Sequence, residues 1–341
     1  MLLLSIETSC DETAAAVVRD GRTIVSSVVS SQIATHAEYG GVVPEIASRM
    51  HLEMISPVIE ESLSLAGATF SDLDGIAVTQ GPGLAGALLV GVATAKAISY
   101  ACGIPLVGVN HIESHLLARF LEQPVELPFL ALVVSGGHTH LYRVDGIGRY
   151  ATLGHTLDDA AGEAFDKVAK LVRLPYPGGM QIDRLAGGGD PRAVLLPRPL
   201  LHDGSFNFSF SGLKTAVLNH VRKYPDAREG QPLSDLCASF QAAVCEVLVG
   251  KTAAAARETG IKRLVVAGGV ACNSALRREM GTLAAAAGIE LHIPSPALCA
   301  DNAAMLAVPA DYYLTHGITS GFELDALPVW PLDTLVERLP G

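Results

Sequence analysis

Residues 2–18 read LLLSIETSCDETAAAVV, and residues 129–144 read FLALVVSGGHTHLYRV. Each is an apolar strand, a short polar tip and a second strand, which is the pattern of a hairpin. A second shared pattern follows in each half. Residues 75–79 form an apolar strand, followed by Gly81-Pro82-Gly83, a small-residue helix to Tyr100 and a strand over 104–109. Residues 263–267 form another, followed by Gly268-Gly269, a helix over about 274–286 and a strand over 289–293. Strand, glycine loop, helix and strand make a βαβ unit. One hairpin and one βαβ unit, occurring twice, predict two similar α/β lobes facing a cleft. A helical stretch over roughly 155–250 is inserted in the second.

Bulk properties agree with buried sheets. Of 341 residues 49% are hydrophobic and 17% charged, a balance suited to strands covered on both faces. The most apolar run, 84–109, is interrupted by Lys96 and by Gly103-Ile104-Pro105, and its Ala and Gly content suits helix packing better than lipid. The start, MLLLSIETSC, has no basic region and carries Glu7, so it does not read as a signal peptide. Six cysteines without a C-x-x-C pair argue against a disulfide framework or zinc knuckle, and the expected compartment is cytoplasmic. Cys10 reads either as a nucleophile or as a small buried hydrophobe. A net charge of −11 argues against non-specific coating of nucleic acid. Lys167, Lys170, Arg173, Arg222, Lys223, Arg277 and Arg278 could still form a local basic strip, or simply solvate helix faces.

The chemistry-bearing residues cluster at strand ends. In Asn110-His111-Ile112-Glu113-Ser114-His115, Asn110 suits an N-cap and Glu113 sits at capping-box spacing. His111 and His115 then share a helix face, either as surface residues or as metal ligands. A helix N-terminus disfavours imidazolium, so both rings are expected neutral. Glu113 is two residues past His111, not next to it, which disfavours a zinc peptidase. A third ligand is expected from across the cleft, in the loop ending at Asp301, whose plainer role is to cap the next helix. Two imidazoles and a carboxylate with open positions suit Fe(II) or Zn(II).

For phosphate, the G-x-G-x-x-G run at Gly81 contains Pro82 and lacks the later acidic ribose ligand, so its glycines read as packing devices. The Ser135-Gly136-Gly137-His138 tip can form an anion nest, or be an ordinary turn. Asn273, after Gly268-Gly269, can cap a helix or meet a ligand. Asp166 and Asp183, around the Tyr176-Pro177-Gly178-Gly179 turn, are candidates for ribose hydroxyls, with Asp166 alternatively an i,i+4 partner of Lys170. Asp11 and Glu12, at the first hairpin tip, either stabilise the turn or serve a metal or a proton transfer.

Together, IETSCDETAAAVV, SSQIATHAEYGGVVPEIASRMH, GPGLAGALLVG, VNHIESH, LVVSGGHTHL, GEAFDKVAKLV, LPYPGG, FSFSGLKTAV, VAGGVACNSALR and CADNAAM resemble the TsaD family of tRNA adenosine threonylcarbamoyltransferases over nearly the whole chain. The resemblance implies two actin-like (RNase H-like) lobes with mixed sheets flanked by helices. Residues 1–128 plus 300–341 would be the partner-binding lobe and 129–299 the nucleotide lobe. It implies transfer of a threonylcarbamoyl group from threonylcarbamoyl-adenylate to N6 of the adenosine 3′ of the anticodon, in tRNAs reading codons that begin with A. By similarity His111, His115 and Asp301 hold one divalent metal, Fe(II) before Zn(II) or Mg(II). Val134, Ser135, Gly136, Gly137, His138, Asp166, Gly179, Asp183 and Asn273 take the adenylate, and Asp11 assists the amine. The implied partners are tRNA, a TsaB-type paralogue and a TsaE-type small ATPase, with no membrane. Met180-Gln181, Cys272 and Ala300 depart from the family pattern, and only Ala300 adjoins a metal ligand. A small-molecule or protein carbamoyltransferase would carry a further domain, for which the chain has no room; a non-catalytic nucleotide switch would need no His-His-Asp set.

Overall fold

A computed structural model describes residues 1–339, which form two compact units. The first comprises Met1–Leu127, Asp145–Ala151 and the chain from Ala297 onward; the second comprises Pro128–Val144 and Thr152–Pro296.

The first unit is built on β1 (Leu2–Glu7), β2 (Glu12–Arg19), β3 (Thr23–Ser31), β4 (Gly75–Gly81) and β5 (Leu106–Asn110), in the order β3-β2-β1-β4-β5. β1 pairs antiparallel with β2 and parallel with β4, which pairs parallel with β5. β1, β2 and β4 are apolar on both faces because both faces are covered, and Leu4, Ile6, Val17, Ile76 and Val78 join one core. β3 is the strand the hairpin pattern did not announce. Its run TIVSSVVSS mixes valine and serine in pairs, and the strand is a half-exposed edge. Helices α1 (Ile33–Ala37), α2 (Pro44–Ala66), α3 (Ala85–Cys102) and α4 (His111–Leu117) complete this half. α2 starts at Pro44 and ends at Gly67 in the left-handed region (φ 61°), as does α3 at Gly103 (φ 67°).

The second unit repeats the plan. β6 (Phe129–Val134), β7 (Thr139–Gly146), β8 (Arg149–His155), β9 (Arg263–Ala267) and β10 (Glu290–His292) lie in the order β10-β9-β6-β7-β8. Numbered within its own half, each sheet reads 3-2-1-4-5, so the duplication inferred from the two hairpins is a duplication of topology. Five helices fill this half: α5 (Ala161–Leu171), α6 (Gly178–Ala186), α7 (Ser211–Lys223), α8 (Gly230–Thr259) and α9 (Ser274–Ala287). Phe165 of α5 meets Phe240 of α8 edge to face, with ring centroids 5.2 Å apart, inside the inserted helical layer.

After β10 come α10 (Pro296–Cys299) and α11 (Ala307–Thr315), which packs on α4 and β5. Asp301 therefore belongs to the same compact unit as His111 and His115. This corrects the expectation of a ligand from the opposite half.

α3 and α8 are long and apolar enough to cross a membrane by length and composition. Lys96 of α3 donates to the Leu324 carbonyl (2.7 Å), and α8 packs against α6 and α9. The glycines at the start of α3 are packing devices, as read. A Cβ on Gly81 would lie 1.9 Å from the Leu327 oxygen, and one on Gly86 2.4 Å from Ser48 Oγ.

Gly268 ends β9 with φ 91° and ψ 163°, a region only glycine occupies readily, and its Cβ would sit 2.4 Å from the Val134 carbonyl. Gly268→Ala is expected to lower unfolding free energy by about 1–3 kcal/mol in denaturant titration. Gly269→Ala, with nothing within 4 Å of its Cβ, should stay within about 0.5 kcal/mol of the parent.

Candidate active site

Asn110 caps α4 as its sequence suggests: Oδ1 accepts the amides of Ile112 (2.9 Å) and Glu113 (3.3 Å). This places His111 and His115 one turn apart, rings 4.7 Å between centroids and nearly perpendicular. Neither is a surface residue; His111 is 5% exposed and His115 is fully buried. Asp301 Oδ1 lies 3.0 Å from His115 Nε2 and 3.9 Å from His111 Nε2, and one donor atom from each residue falls within 4.8 Å of the others. Ligands about 2.0–2.1 Å from one ion stand roughly 3.0–3.4 Å apart, so His115 and Asp301 are already at ligand spacing and His111 would have to move inward, by up to about 1.5 Å, to complete the set.

The capping role expected of Asp301 falls instead to Asn302, whose Oδ1 accepts the Met305 amide (3.1 Å). Asn302 Nδ2 donates to the Ala300 carbonyl (2.8 Å), and alanine at 300 offers Asp301 no hydroxyl. His115 Nδ1 is buried without a hydrogen-bond partner among the described residues, so Asp301 at Nε2 and packing orient this imidazole.

The residue that sequence reasoning passed over is Glu7. Its Oε2 lies 3.1 Å from His111 Nδ1, and its carboxylate also accepts the Ser9 amide (2.5 Å) and the Thr79 hydroxyl. Holding Nδ1 leaves Nε2 to face Asp301, the carboxylate–histidine arrangement that orients metal-ligating imidazoles. Its signal lay in the sequence: an acid ending an otherwise apolar strand. Burial opposes charge on His111, but Glu7 and Asp301 outweigh it and hold the imidazole at about 9. That reverses the neutral ring expected from the helix N-terminus. Burial likewise opposes ionised Glu7, and His111 wins, keeping it below the usual glutamate range.

Glu113 does not close a capping box. Its Oε1 accepts Tyr150 Oη (2.7 Å), Tyr313 Oη (2.7 Å) and the Gly148 amide (3.2 Å), fully buried, and burial raises its carboxyl above the ordinary value. Its face of α4 is a packing face, which agrees with the exclusion of a zinc peptidase.

The first hairpin tip lies beside this cluster. Asp11 is buried, and Asp11 and Asp301 both act electrostatically on Glu12 and Cys10. Burial, then Asp301 and Asp11, push Glu12 up to about 9. Burial and the same carboxylates push the Cys10 thiol well above its ordinary value, a setting that disfavours a thiolate nucleophile. His51 of α2 donates from Nε2 to the Cys10 carbonyl (3.0 Å), so Nδ1 accepts from the Thr13 hydroxyl (2.7 Å). The tip is thereby tied to a helix forty residues away, an interaction no local spacing announces.

In the second unit, the loop after β6 is closed by Ser135 N to the His138 carbonyl (2.8 Å) and by the His138 amide to Ser135 Oγ (3.2 Å). Val134 ends β6 directly ahead of it. Gly136 and Gly137 are exposed, at negative φ, with nothing within 4 Å of a built Cβ; at Gly179 the nearest atom is 3.9 Å away. The fold itself gives no reason for glycine there, whereas Gly162 and Gly178 are demanded by contacts of 2.5 and 2.3 Å. Bare amides open to solvent are what a phosphate can approach. The nearby polar residues brace the chain. Asp166 Oδ1 accepts the Gly178 amide (2.7 Å), and Asp183 accepts Ser274 N (3.1 Å) and Oγ (2.7 Å). Asn273 caps α9 through the Leu276 amide (3.0 Å) and donates to Gln241 (2.7 Å).

A family model described as "TsaD: tRNA N6-adenosine threonylcarbamoyltransferase" matches residues 23–308. The chain belongs to the TsaD family. It is 72% identical over 339 residues to the tRNA N6-adenosine threonylcarbamoyltransferase of Geotalea uraniireducens (strain Rf4), covering 99% of both chains. It is 73% identical over 339 residues to that of Geobacter sp. (strain M21), again covering 99% of both. Among solved structures, full-length HypF in its phosphate- and nucleotide-bound form aligns over 94% of this chain and 47% of that one, with TM-score 0.60 and 15% identity, a likeness of fold. TsaD membership makes the chain a transferase of the actin-like α/β fold.

The thiol result is open to direct measurement. Iodoacetamide at pH 8 is expected to label the exposed Cys102 and Cys272 while Cys10 stays unmodified in peptide mass spectrometry. Labelling of Cys10 at a comparable rate would overturn the reading of its environment.

Proposed function

We propose that this TsaD-family transferase moves the threonylcarbamoyl group of threonylcarbamoyl-adenylate to N6 of the adenosine 3′ of the anticodon, in tRNAs reading codons that begin with A. The observation that carries the chemistry is the His111–His115–Asp301 set, with both imidazoles buried and His111 held by Glu7. Two imidazoles and one carboxylate suit Fe(II), with Zn(II) or Mg(II) as the other candidates. Such an ion, held by those three residues, supplies Lewis acidity toward an acyl or phosphoryl oxygen.

The chain's own groups account for the rest. The Ser135–His138 loop offers amides to the adenylate phosphate, with Val134 and Gly179 beside it. Asp166, Asp183 and Asn273 hold the backbone around the nucleotide. The N6–carbonyl bond forms as the bond from the carbonyl carbon to the AMP oxygen breaks, and AMP leaves with that electron pair. Asp11 receives the proton released by the attacking amine, a role typically worth a factor of about 100 to 10,000 in rate.

A TsaB-type paralogue and a TsaE-type small ATPase complete the proposed assembly. Support for the former is the outer face of α3, where Leu89 and Tyr100 are exposed on one stripe with Ala93 and Ala97.

The test is mass spectrometry of tRNA nucleosides after incubation with threonylcarbamoyl-adenylate, with and without cell extract. Threonylcarbamoyladenosine is expected, and its absence under both conditions would defeat the assignment. His111→Ala should lower its formation at least about 100-fold while leaving a cooperative unfolding transition.

A further inference from the structure

Residues 318–339 run as a strap along β5, from Leu106 at its start to Asn110 at its end, and across the end of β4. The strap lies beyond the span 23–308 matched by the family model. Ser320 N donates to the Leu106 carbonyl (2.7 Å), Leu327 N to Gln80 O (2.8 Å), and Gly83 N to Pro328 O (3.2 Å). Two groups near its end reach the base of α4. The Trp330 carbonyl accepts Asn110 Nδ2 (3.0 Å), while Oδ1 of the same amide caps α4. Arg338 Nη1 donates to the Gly108 carbonyl (2.8 Å), two residues before the cap.

The Arg338 guanidinium also lies over the Tyr313 ring (4.9 Å to centroid) and the Trp330 ring (5.6 Å). Tyr313 is fully buried and its hydroxyl reaches Glu113, midway between the two histidines on α4. One side chain thus touches the incoming backbone, the strap that holds the cap and the ring that holds the helix from its other face.

We propose that Arg338 is a positioning residue for the His111–His115–Asp301 centre. The inference rests on the metal reading above. α4 spans seven residues, too few for a helix to persist without tertiary support, so its orientation has to be imposed from outside. Metal ligands tolerate about 0.5 Å of misplacement, and α4 supplies two of the three. Arginine suits the place because a flat guanidinium can stack on two rings while donating in its own plane; a lysine ammonium cannot.

The probe is Co(II), titrated into the metal-free full-length chain and followed by its d–d absorption. The wild type is expected to bind. Arg338→Ala should bind on the order of 10-fold more weakly, with a changed band shape, while still unfolding cooperatively. Arg338→Lys should recover only part of the affinity. Tyr313→Phe, which removes one hydroxyl and keeps the stacking ring, should also weaken binding. The Arg338→Ala/Tyr313→Phe pair should be no more than about twofold weaker than its worse single variant, because both act along one path. Wild-type affinity and spectrum in Arg338→Ala would overturn the proposal, as would fully multiplicative losses in the pair. Should Arg338→Ala fail to fold, wild-type binding by both Arg338→Lys and Tyr313→Phe would overturn it. A wild-type chain that binds no Co(II) would instead remove the metal centre itself, and the clamp with it.

Discussion

A carboxylate taken out of water must be given donors, and Glu7 is the group on which the first unit is organised. Leaving such a charge unpaired costs several kcal/mol, so its partners have to be in place when the chain folds. They come from separate elements: the Ser9 amide beyond β1, the Thr79 hydroxyl on β4 and the His111 ring at the start of α4. Satisfying Glu7 therefore sets the spacing of β1 against β4 and the direction of one imidazole together. The site is a consequence of how the sheet pairs.

The two halves share a strand order and diverge at the strand ends. In the first, the ends of β1 and β5 carry Glu7 and Asn110-His111, and the tip after β1 carries Asp11 and Glu12. In the second, the ends of β6 and β9 carry Ser135-Gly136-Gly137 and Gly268-Gly269. Ionisable side chains occupy the strand ends of the first unit, and bare glycines occupy those of the second. Removing a Cβ exposes backbone amides to an anion; adding a carboxylate or imidazole does the reverse. One topology thus carries two kinds of strand end without altering its core.

Charge and burial also separate roles among similar residues. Glu113 and Glu7 are both buried glutamates within reach of α4, yet one faces neutral hydroxyls and the other an imidazole. Glu113 is consequently driven toward its neutral form, and Glu7 is held ionised. Cys10, placed among Asp11, Glu12 and Asp301, is kept as a thiol by the surroundings that would attract a cation.

Much of this was legible in the linear chain. Short continuous apolar runs bounded by polar or glycine tips disclosed both hairpins, and strand–glycine–helix–strand runs disclosed both βαβ units, because those signals depend on neighbours a few residues apart. The helical spacing of His111 and His115 and the cap at Asn110 are local for the same reason. What the chain alone could not show are pairings across tens or hundreds of residues. Asp301 returns to the first unit, Glu7 orients His111, His51 holds Cys10, and Glu113 is claimed by Tyr150 and Tyr313. Local spacing assigned Glu113 and Asp301 to helix caps, since capping is what an acid there does when nothing distant competes. Tertiary burial supplied the competitors, and in a low-dielectric interior a distant hydrogen-bond partner outweighs a local, solvent-screened one.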